Sequence, residues 1–454
     1  MFRRALHTAR FVLRAIQLTL PKIGIGWMFA LLTSNFNRIA IYELGVLAVL
    51  VTTMLGLYHF LSPFQVMFGR LADRYPILGY RRSPYLLLGL LVSSLVFLAL
   101  PSVARAMGAG SLPAIVAGFA LLIVFGVGFA AAGAAHLALI ADVTTPRSRG
   151  IVVALVWTMQ IGSVIVAAVF MKQLMPSYSP EAMQAMYNMT PAIVLIPTAL
   201  ALLGNERRLR GAELAETVGA AREASTGGVV RFPLQLLRGN RAARYFFAFI
   251  ICSTLGVFLQ DSILEVFGAQ VLGMSVKETT SFQQIWGGGV LLAMLVVGGI
   301  IAVRPFSRQR LAAIGGVGTT AGLALLAATA LLGQRALINP ALIVMGVFTG
   351  LYTVGALSLM MEMQVEGATA TYMGLWGMAQ ALGNGGSSIG AGALHSALIG
   401  SHLFGAGAGY AIIFGIEAAL MLAGVLMLGR VSLPAFHEGL TTHDLTQTLE
   451  LGAA

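Results

Sequence analysis

The sequence predicts an all-α membrane protein in which twelve transmembrane helices form two pseudo-symmetric six-helix bundles. Three observations lead there: an apolar composition, the spacing of apolar stretches and the placement of basic residues. Of the 454 residues, 58% are hydrophobic and 10% charged, and the mean hydropathy of +0.86 lies far above that of soluble domains. A helix needs roughly 20 residues to cross the hydrocarbon core. Stretches of about that length fall at 23–43, 46–68, 84–104, 113–139, 150–171, 189–204, 245–266, 281–303, 310–332, 340–361, 371–395 and 408–429. With the N-terminus in the cytoplasm, 23 of the 28 basic residues share that side; Arg105, Lys172, Lys277 and Arg335 fall in outer loops and Arg38 within a span. By the positive-inside rule both termini are then expected in the cytoplasm. The net charge of +11 reads as this topology signal, with no nucleic-acid partner required.

Residues 1–22 place Arg3, His7, Arg10 and Arg14 on one helical face and Phe2, Leu6, Leu13, Ile16 and Leu20 on the other. That pattern suits an amphipathic helix lying on the anionic leaflet of the bilayer, or a plain basic topology anchor. It lacks the apolar core and cleavage site of a signal peptide. Residues 23–204 form the first expected bundle. Its loop between spans 2 and 3 reads "GRLADRYPILGYRRSPYLLLG". Gly69 suits a tight exit from span 2, and Asp73 is expected to pair with Arg81, Arg82 or Arg149 as a cytoplasmic gate. Before span 5, "ADVTTPRSRG" offers Thr145 and Pro146 as N-cap and first-turn residues, and Asp142 and Arg149 can pair across the loop. The polar segment 205–244 is the expected linker, 245–430 the second bundle and 431–454 a cytoplasmic tail. In the second bundle Ser275 and Glu278 form a capping box that starts span 8. The sole cysteine, Cys252, lies in a span, which leaves no disulfide framework or CxxC metal pattern.

The halves carry faint internal similarity. "NRIAIYELG" ends span 1 and "QDSILEVFG" ends span 7, so that Glu43 matches Glu265 and Arg38 matches Gln260. "LVWTMQIG" in span 5 likewise resembles "GLWGMAQALG" in span 11, matching Trp157 with Trp376. Two six-helix halves with parallel repeats, together with the glycine, aspartate and basic residues of the loop from Gly69 to Gly89, resemble the major facilitator superfamily, although Gly79 follows Asp73 later than in the commonest form.

Within that superfamily, "FLQDSILEVFGAQVLGMSVKETT" followed by "WGGGVLL" closely resembles the seventh-span segment of the PucC, or bacteriochlorophyll-delivery, family. "NFNRIAIYELG" resembles its first span and "YMGLWGMAQALGNGGSSIGAGAL" its eleventh. Val266 departs from the pattern, which has proline there. The resemblance implies a non-enzymatic assembly factor for light-harvesting antennae in a bacterial inner, photosynthetic membrane. It implies bacteriochlorophyll as a transient ligand with no covalently bound cofactor. The partners it implies are the light-harvesting α and β polypeptides, with chlorophyll synthase and the membrane insertion machinery as further ones. The competing reading is a cation-coupled transporter of a small solute such as a glycoside, but the spans offer mainly Met, Phe, Gly and Ala where a sugar needs hydrogen-bonding side chains.

Asp261 and Glu265 lie one helical turn apart on one face of span 7. An acid at the bilayer centre costs roughly 2.5–3.5 kcal/mol on insertion scales, so Arg38, Glu43, Gln260, Asp261 and Glu265 are the candidate gate or pigment-cleft residues. Asp261 follows Tyr245, and Arg38 follows Lys22, by sixteen residues, a depth of about 24 Å in each repeat. Arg38 is therefore expected to pair with Asp261 or Glu265. Neutral imidazole can ligate the magnesium of a chlorin, which makes His59, His136 and His395 candidate pigment ligands; each also suits a hydrogen-bonded core histidine. Glu417 in span 12 must face the bundle or a partner protein. No P-loop, HExxH, G-x-S-x-G or metal-spaced histidine-carboxylate set occurs, so no catalytic residue and no metal site is expected. The glycines of "GNGGSSIGAGAL" suit close helix packing or a smooth wall for a flat macrocycle.

Overall fold

The computed structural model describes residues 12–61, 64–223, 237, 240–303, 307–363, 369–401 and 404–438. Residues 1–11, residues 224–236 and 238–239 of the expected linker and residues 439–454 of the expected tail lie outside these. Among the described residues the regular elements are helical, with one isolated bridge between Ile77 and Tyr80. Among the described residues ten helices are long and apolar enough to cross a bilayer, and an eleventh follows if Ala48–Leu61 and Phe64–Arg74 make one bent span. The remaining expected span is a 27-residue helix, Thr369–His395, whose many Gly, Ala and Ser residues lower its hydropathy.

The chain forms two compact units, one of Met1–Gly45 with Leu61–Arg222 and the other of Val46–Phe60 with Glu223–Ala454. The first contains α1 (Pro21–Ala30), which runs on through π turns at Leu31–Phe36 and Ile39–Glu43. The upstream residues 12–19 are helical too, and Gln17 ties them to the carbonyls of Leu200 and Leu203 at 2.8 Å each. The second unit contains α2 (Ala48–Leu57) with a 3-10 turn at Tyr58–Leu61. Back in the first unit, α3 (Phe64–Arg74), α4 (Ser83–Gly108), α5 (Leu112–Val143), α6 (Pro146–Leu174), α7 (Pro180–Asn188), α8 (Thr190–Leu202) and α9 (Gly211–Glu223) follow. The start of α6 at Pro146 agrees with the expected Thr145-Pro146 entry.

Small residues let these helices approach closely. A Cβ on Gly89 of α4 would sit 2.5 Å from the Gly128 carbonyl oxygen of α5, and one on Gly24 of α1 2.5 Å from the Val194 Cα of α8. Polar side chains stitch the same contacts, as where Trp27 donates to Thr190 Oγ1 at 3.1 Å.

The second unit continues with α10 (Arg241–Phe258), a 3-10 turn at Gln260–Ser262, α11 (Leu264–Gln270), α12 (Val276–Val303), α13 (Arg308–Leu332), α14 (Ile338–Glu362), α15 (Thr369–His395), α16 (Ala406–Leu428) and α17 (Leu433–Glu438). Asn240 caps α10 by accepting the Ala243 N–H at 3.0 Å, and the Ser275–Glu278 box opens α12 with bonds of 2.7 and 3.3 Å. Gly333 ends α13 in the left-handed region, at φ 61°. The expected continuous span 7 does not form: the helix stops at Phe258 and resumes at Leu264.

Candidate functional site

In the first unit the turn between α3 and α4 gathers four of the expected gate residues. Arg82 Nη2 lies 2.7 Å from Asp73 Oδ1 in an ion pair, and Arg82 Nε donates to Asp142 Oδ2 at 3.0 Å. Arg81 reaches each of the same acids at 3.6 Å. Arg149 lies on α6, its side chain outside the described residues. Gly69 does not make the expected tight exit, because it sits inside α3 with open space where a Cβ would be. The sharp turn belongs to Gly79, at φ 81°, whose Cβ would press on the Leu209 carbonyl oxygen at 2.5 Å. A residue the sequence did not single out organises the turn. Glu206 accepts the backbone N–H groups of Arg81, Arg82 and Ser83 at 2.7, 2.8 and 2.6 Å. Pro84 has no N–H, so this carboxylate takes the donors that precede it at the opening of α4. Its partners lie more than a hundred residues away, and no local pattern announces it.

Arg38 is 1% exposed and pairs with Glu43 at 2.7 Å, with Tyr42 under its guanidinium at 5.3 Å. The π turns on either side of Arg38 shift the side-chain register from that of an ideal helix. Arg38 lies in the first unit, and Asp261 and Glu265 in the second.

In the second unit α10 and α16 run antiparallel in tight register. Gly424 faces Ser253, and Gly256 faces the Met421 backbone so closely that a Cβ would lie 2.6 Å from its nitrogen. One step further, the Gln260 N–H leaves the helix ladder and donates to Glu417 Oε1 at 2.8 Å. That exchange accounts for the break in span 7. Gln260 Nε2 in turn donates to Asp261 Oδ1 at 2.9 Å. Gln260, Asp261 and Glu417 thus come together, and Glu265 lies buried in the first turn of α11. Glu417 is fully buried and faces the bundle, one of the two orientations expected.

The three histidines separate. His136 Nε2 bonds the Leu18 carbonyl at 2.8 Å and His395 Nε2 bonds Gln270 Oε1 at 3.1 Å, while Tyr410 donates to the same oxygen at 2.7 Å. Both are tethered core histidines. His59, half-buried beside Tyr58 at 4.0 Å between ring centroids, has no hydrogen bond among the described residues. It lies on the Tyr58–Leu61 turn, whose Phe60 ring packs on Gly385 of α15. The α15 glycines divide likewise: Gly383, Gly385 and Gly392 meet Thr254, Phe60 and Thr52 and serve packing, whereas Gly390 opens to space. The matched tryptophans differ as well. Trp376 is buried and donates to the Met363 carbonyl at 2.9 Å, while Trp157 is half exposed with Lys22 over its ring. Among the described residues no three His, Cys, Asp or Glu side chains are grouped to hold a metal.

The fold is similar to that of a D-xylose–proton symporter, with a TM-score of 0.66 at 16% identity over 91% of this chain and 96% of that one. A structure of a xylose symporter among the similar folds names the group as the major facilitator superfamily. In sequence, the chain is 32% identical over 428 residues to the "Bacteriochlorophyll synthase 44.5 kDa chain" of Rhodobacter capsulatus, covering 91% of this chain and 94% of that protein. It is 28% identical to "Protein PucC" of Cereibacter sphaeroides, covering 91% of each. The model of the PUCC protein family matches residues 35–436, both halves of the molecule included, and the chain belongs to that family.

Proposed function

We propose that this chain assembles bacterial light-harvesting antennae by delivering bacteriochlorophyll to their membrane polypeptides. The observation that carries the reading is the family match over both halves, joined to a relative named for bacteriochlorophyll. His59 supports the reading further. A neutral imidazole beside the Tyr58 ring, next in sequence to the Phe60 that packs on Gly385 of α15, could offer a nitrogen ligand to a chlorin magnesium. The same reading makes the α and β antenna polypeptides the recipients, and chlorophyll synthase and the insertion machinery neighbours of the delivery step. It places the chain in the photosynthetic membrane with both termini in the cytoplasm.

The test is to purify the full chain from a photosynthetic host and record its near-infrared absorbance. Bound pigment is expected in the wild type and in His136→Leu and His395→Leu, and its loss in His59→Leu. Deletion of the gene, in a host without a second family member, should lower antenna content while pigment synthesis continues. Normal antenna levels in that deletion, with no pigment on the protein, would defeat the reading; glycoside uptake by reconstituted vesicles would then favour a cation-coupled transporter.

A further inference from the structure

The second unit holds two acids for which the structure provides no cation. Among the described residues, ion pairs such as those of Arg38 with Glu43, of Arg81 and Arg82 with Asp73 and Asp142, and of Arg308 with Glu362 do not include Asp261 or Glu417. Glu417 is 0% exposed and sits midway along α16. Its Oε1 is occupied by the Gln260 N–H, and its Oε2, also buried, has no hydrogen-bond partner. Gln260 is 0% exposed too, and with its amide nitrogen committed to Asp261, its Oε1 is a second buried acceptor without a donor. Glu417 is held by the Gln260 N–H and the Gln260 amide by Asp261, so both orphan oxygens lie on side chains tied to the point where span 7 breaks. Asp261, bonded to the Gln260 amide, is the one of the three that is not fully buried.

Buried acceptors that face no donor are costly, and an acid with no counter-charge more so. Oxygen donors from a carboxylate and an amide, beside a second carboxylate, are the chemistry that takes up a hard monovalent cation. We propose that Glu417, Gln260 and Asp261 form a binding site for one monovalent cation, a proton or a sodium ion, with Glu417 Oε2 and Gln260 Oε1 as its buried ligands and Asp261 at its entrance. The site stands whether or not the chain carries pigment. Occupation would bridge α16 to the broken segment of span 7, so the cation would hold the break in its present form.

Other titratable groups lie on the elements around it. Tyr58 is within electrostatic reach of Asp261, His395 and Tyr410 share Gln270, Cys252 and Tyr245 lie on α10, and Glu265 on α11. The arginines of α10 and α13, Arg241, Arg244, Arg308 and Arg310, sit in the opening turns of their helices. The test must therefore isolate Glu417.

The experiment measures thermal unfolding of the purified full chain in detergent by tryptophan fluorescence, in sodium chloride against choline chloride at matched ionic strength, from pH 5 to pH 9. A cation at about tenfold over its dissociation constant should raise Tm by roughly 2–4 °C. A rise with sodium at fixed pH identifies sodium; a fall in Tm with rising pH, the same in both salts, identifies a proton. Either response should vanish in Glu417→Gln, which keeps an acceptor for the Gln260 N–H, and weaken in Asp261→Asn. Should Glu417→Gln not fold, Asp261→Asn decides alone. A wild type indifferent to both variables overturns the proposal, as does a response that both variants retain in full.

Discussion

Replacing Glu206 with alanine strips the acceptor from the N–H groups of Arg81, Arg82 and Ser83, which it holds at 2.6–2.8 Å. Each hydrogen bond to a charged acceptor contributes about 1.5–3 kcal/mol, and loss of an ordinary N-cap costs about 0.5–2 kcal/mol. Glu206 is only half-buried, so water can re-solvate part of what is lost. The expected destabilisation is therefore about 3–5 kcal/mol, below the simple sum of three charged bonds. Unfolding of the purified chain in mixed micelles, driven by SDS and followed by far-ultraviolet circular dichroism, measures it. Glu206→Gln keeps one carbonyl oxygen and should recover about 1 kcal/mol or more. Amide exchange at residues 81–83 should speed up in the alanine variant and not elsewhere in α4. A Glu206→Ala protein within about 0.5 kcal/mol of wild type would show that the turn is held by Arg82 and its two aspartates instead.

Arg82→Met should lower stability by about 1–3 kcal/mol, between the values for exposed and buried pairs, because it removes the contacts at 2.7 and 3.0 Å and leaves Asp73 and Asp142 the more distant Arg81, at 3.6 Å from each; the same micelle titration reads this. Asp73→Asn should cost less, since Arg82 keeps Asp142. Gly69→Ala should stabilise α3 by roughly 0.5–1 kcal/mol, as its Cβ meets nothing within 4 Å. Gly89→Ala should destabilise by about 1–3 kcal/mol, as its Cβ meets the Gly128 backbone at 2.5 Å. Equal effects of the two alanines would refute the packing argument.

The fold class was legible because span length and charge asymmetry act on long segments, where single residues average out. The expected bounds 310–332 and 408–429 sit within two residues of α13 and α16. Local chemistry was legible where both partners lie in one turn of sequence, as in the Ser275–Glu278 box. Asp73 and Arg82 were readable for a similar reason, being nine residues apart. What escaped depends on distant partners. The end of α10 is set by Glu417, 157 residues away, and the apolar pattern of span 7 runs straight through it. Gly69 misled because a glycine in a loop motif suggests a turn, while the turn is made by Gly79 ten residues on. The three histidines were equivalent as sequence; only their hydrogen bonds set His59 apart.

The internal repeat sharpens the contrast between the two units. In the first, the position matched to Gln260 is Arg38, which supplies a cation within its own helix and satisfies Glu43 at 2.7 Å. In the second, Gln260 contributes hydrogen bonds and no charge, so it can anchor Glu417 and Asp261 and still leave their charge uncompensated. The tryptophans diverge in parallel: Trp376 is sealed against Phe246 in an edge contact at 4.8 Å, while Trp157 remains open. Two repeats kept only for symmetry of packing would be expected to preserve such pairs. Here Arg38 of the first unit meets Glu43 in the same helix, and the second unit keeps the buried Glu417 beside a helix break. A change of bound cation or of charge is therefore felt first in span 7, where backbone hydrogen bonding has already been exchanged for a side chain. Replacing Gln260 with arginine tests this directly: an internal cation should pair with Asp261 or Glu417, raise Tm in choline chloride, and leave little further response to sodium or pH.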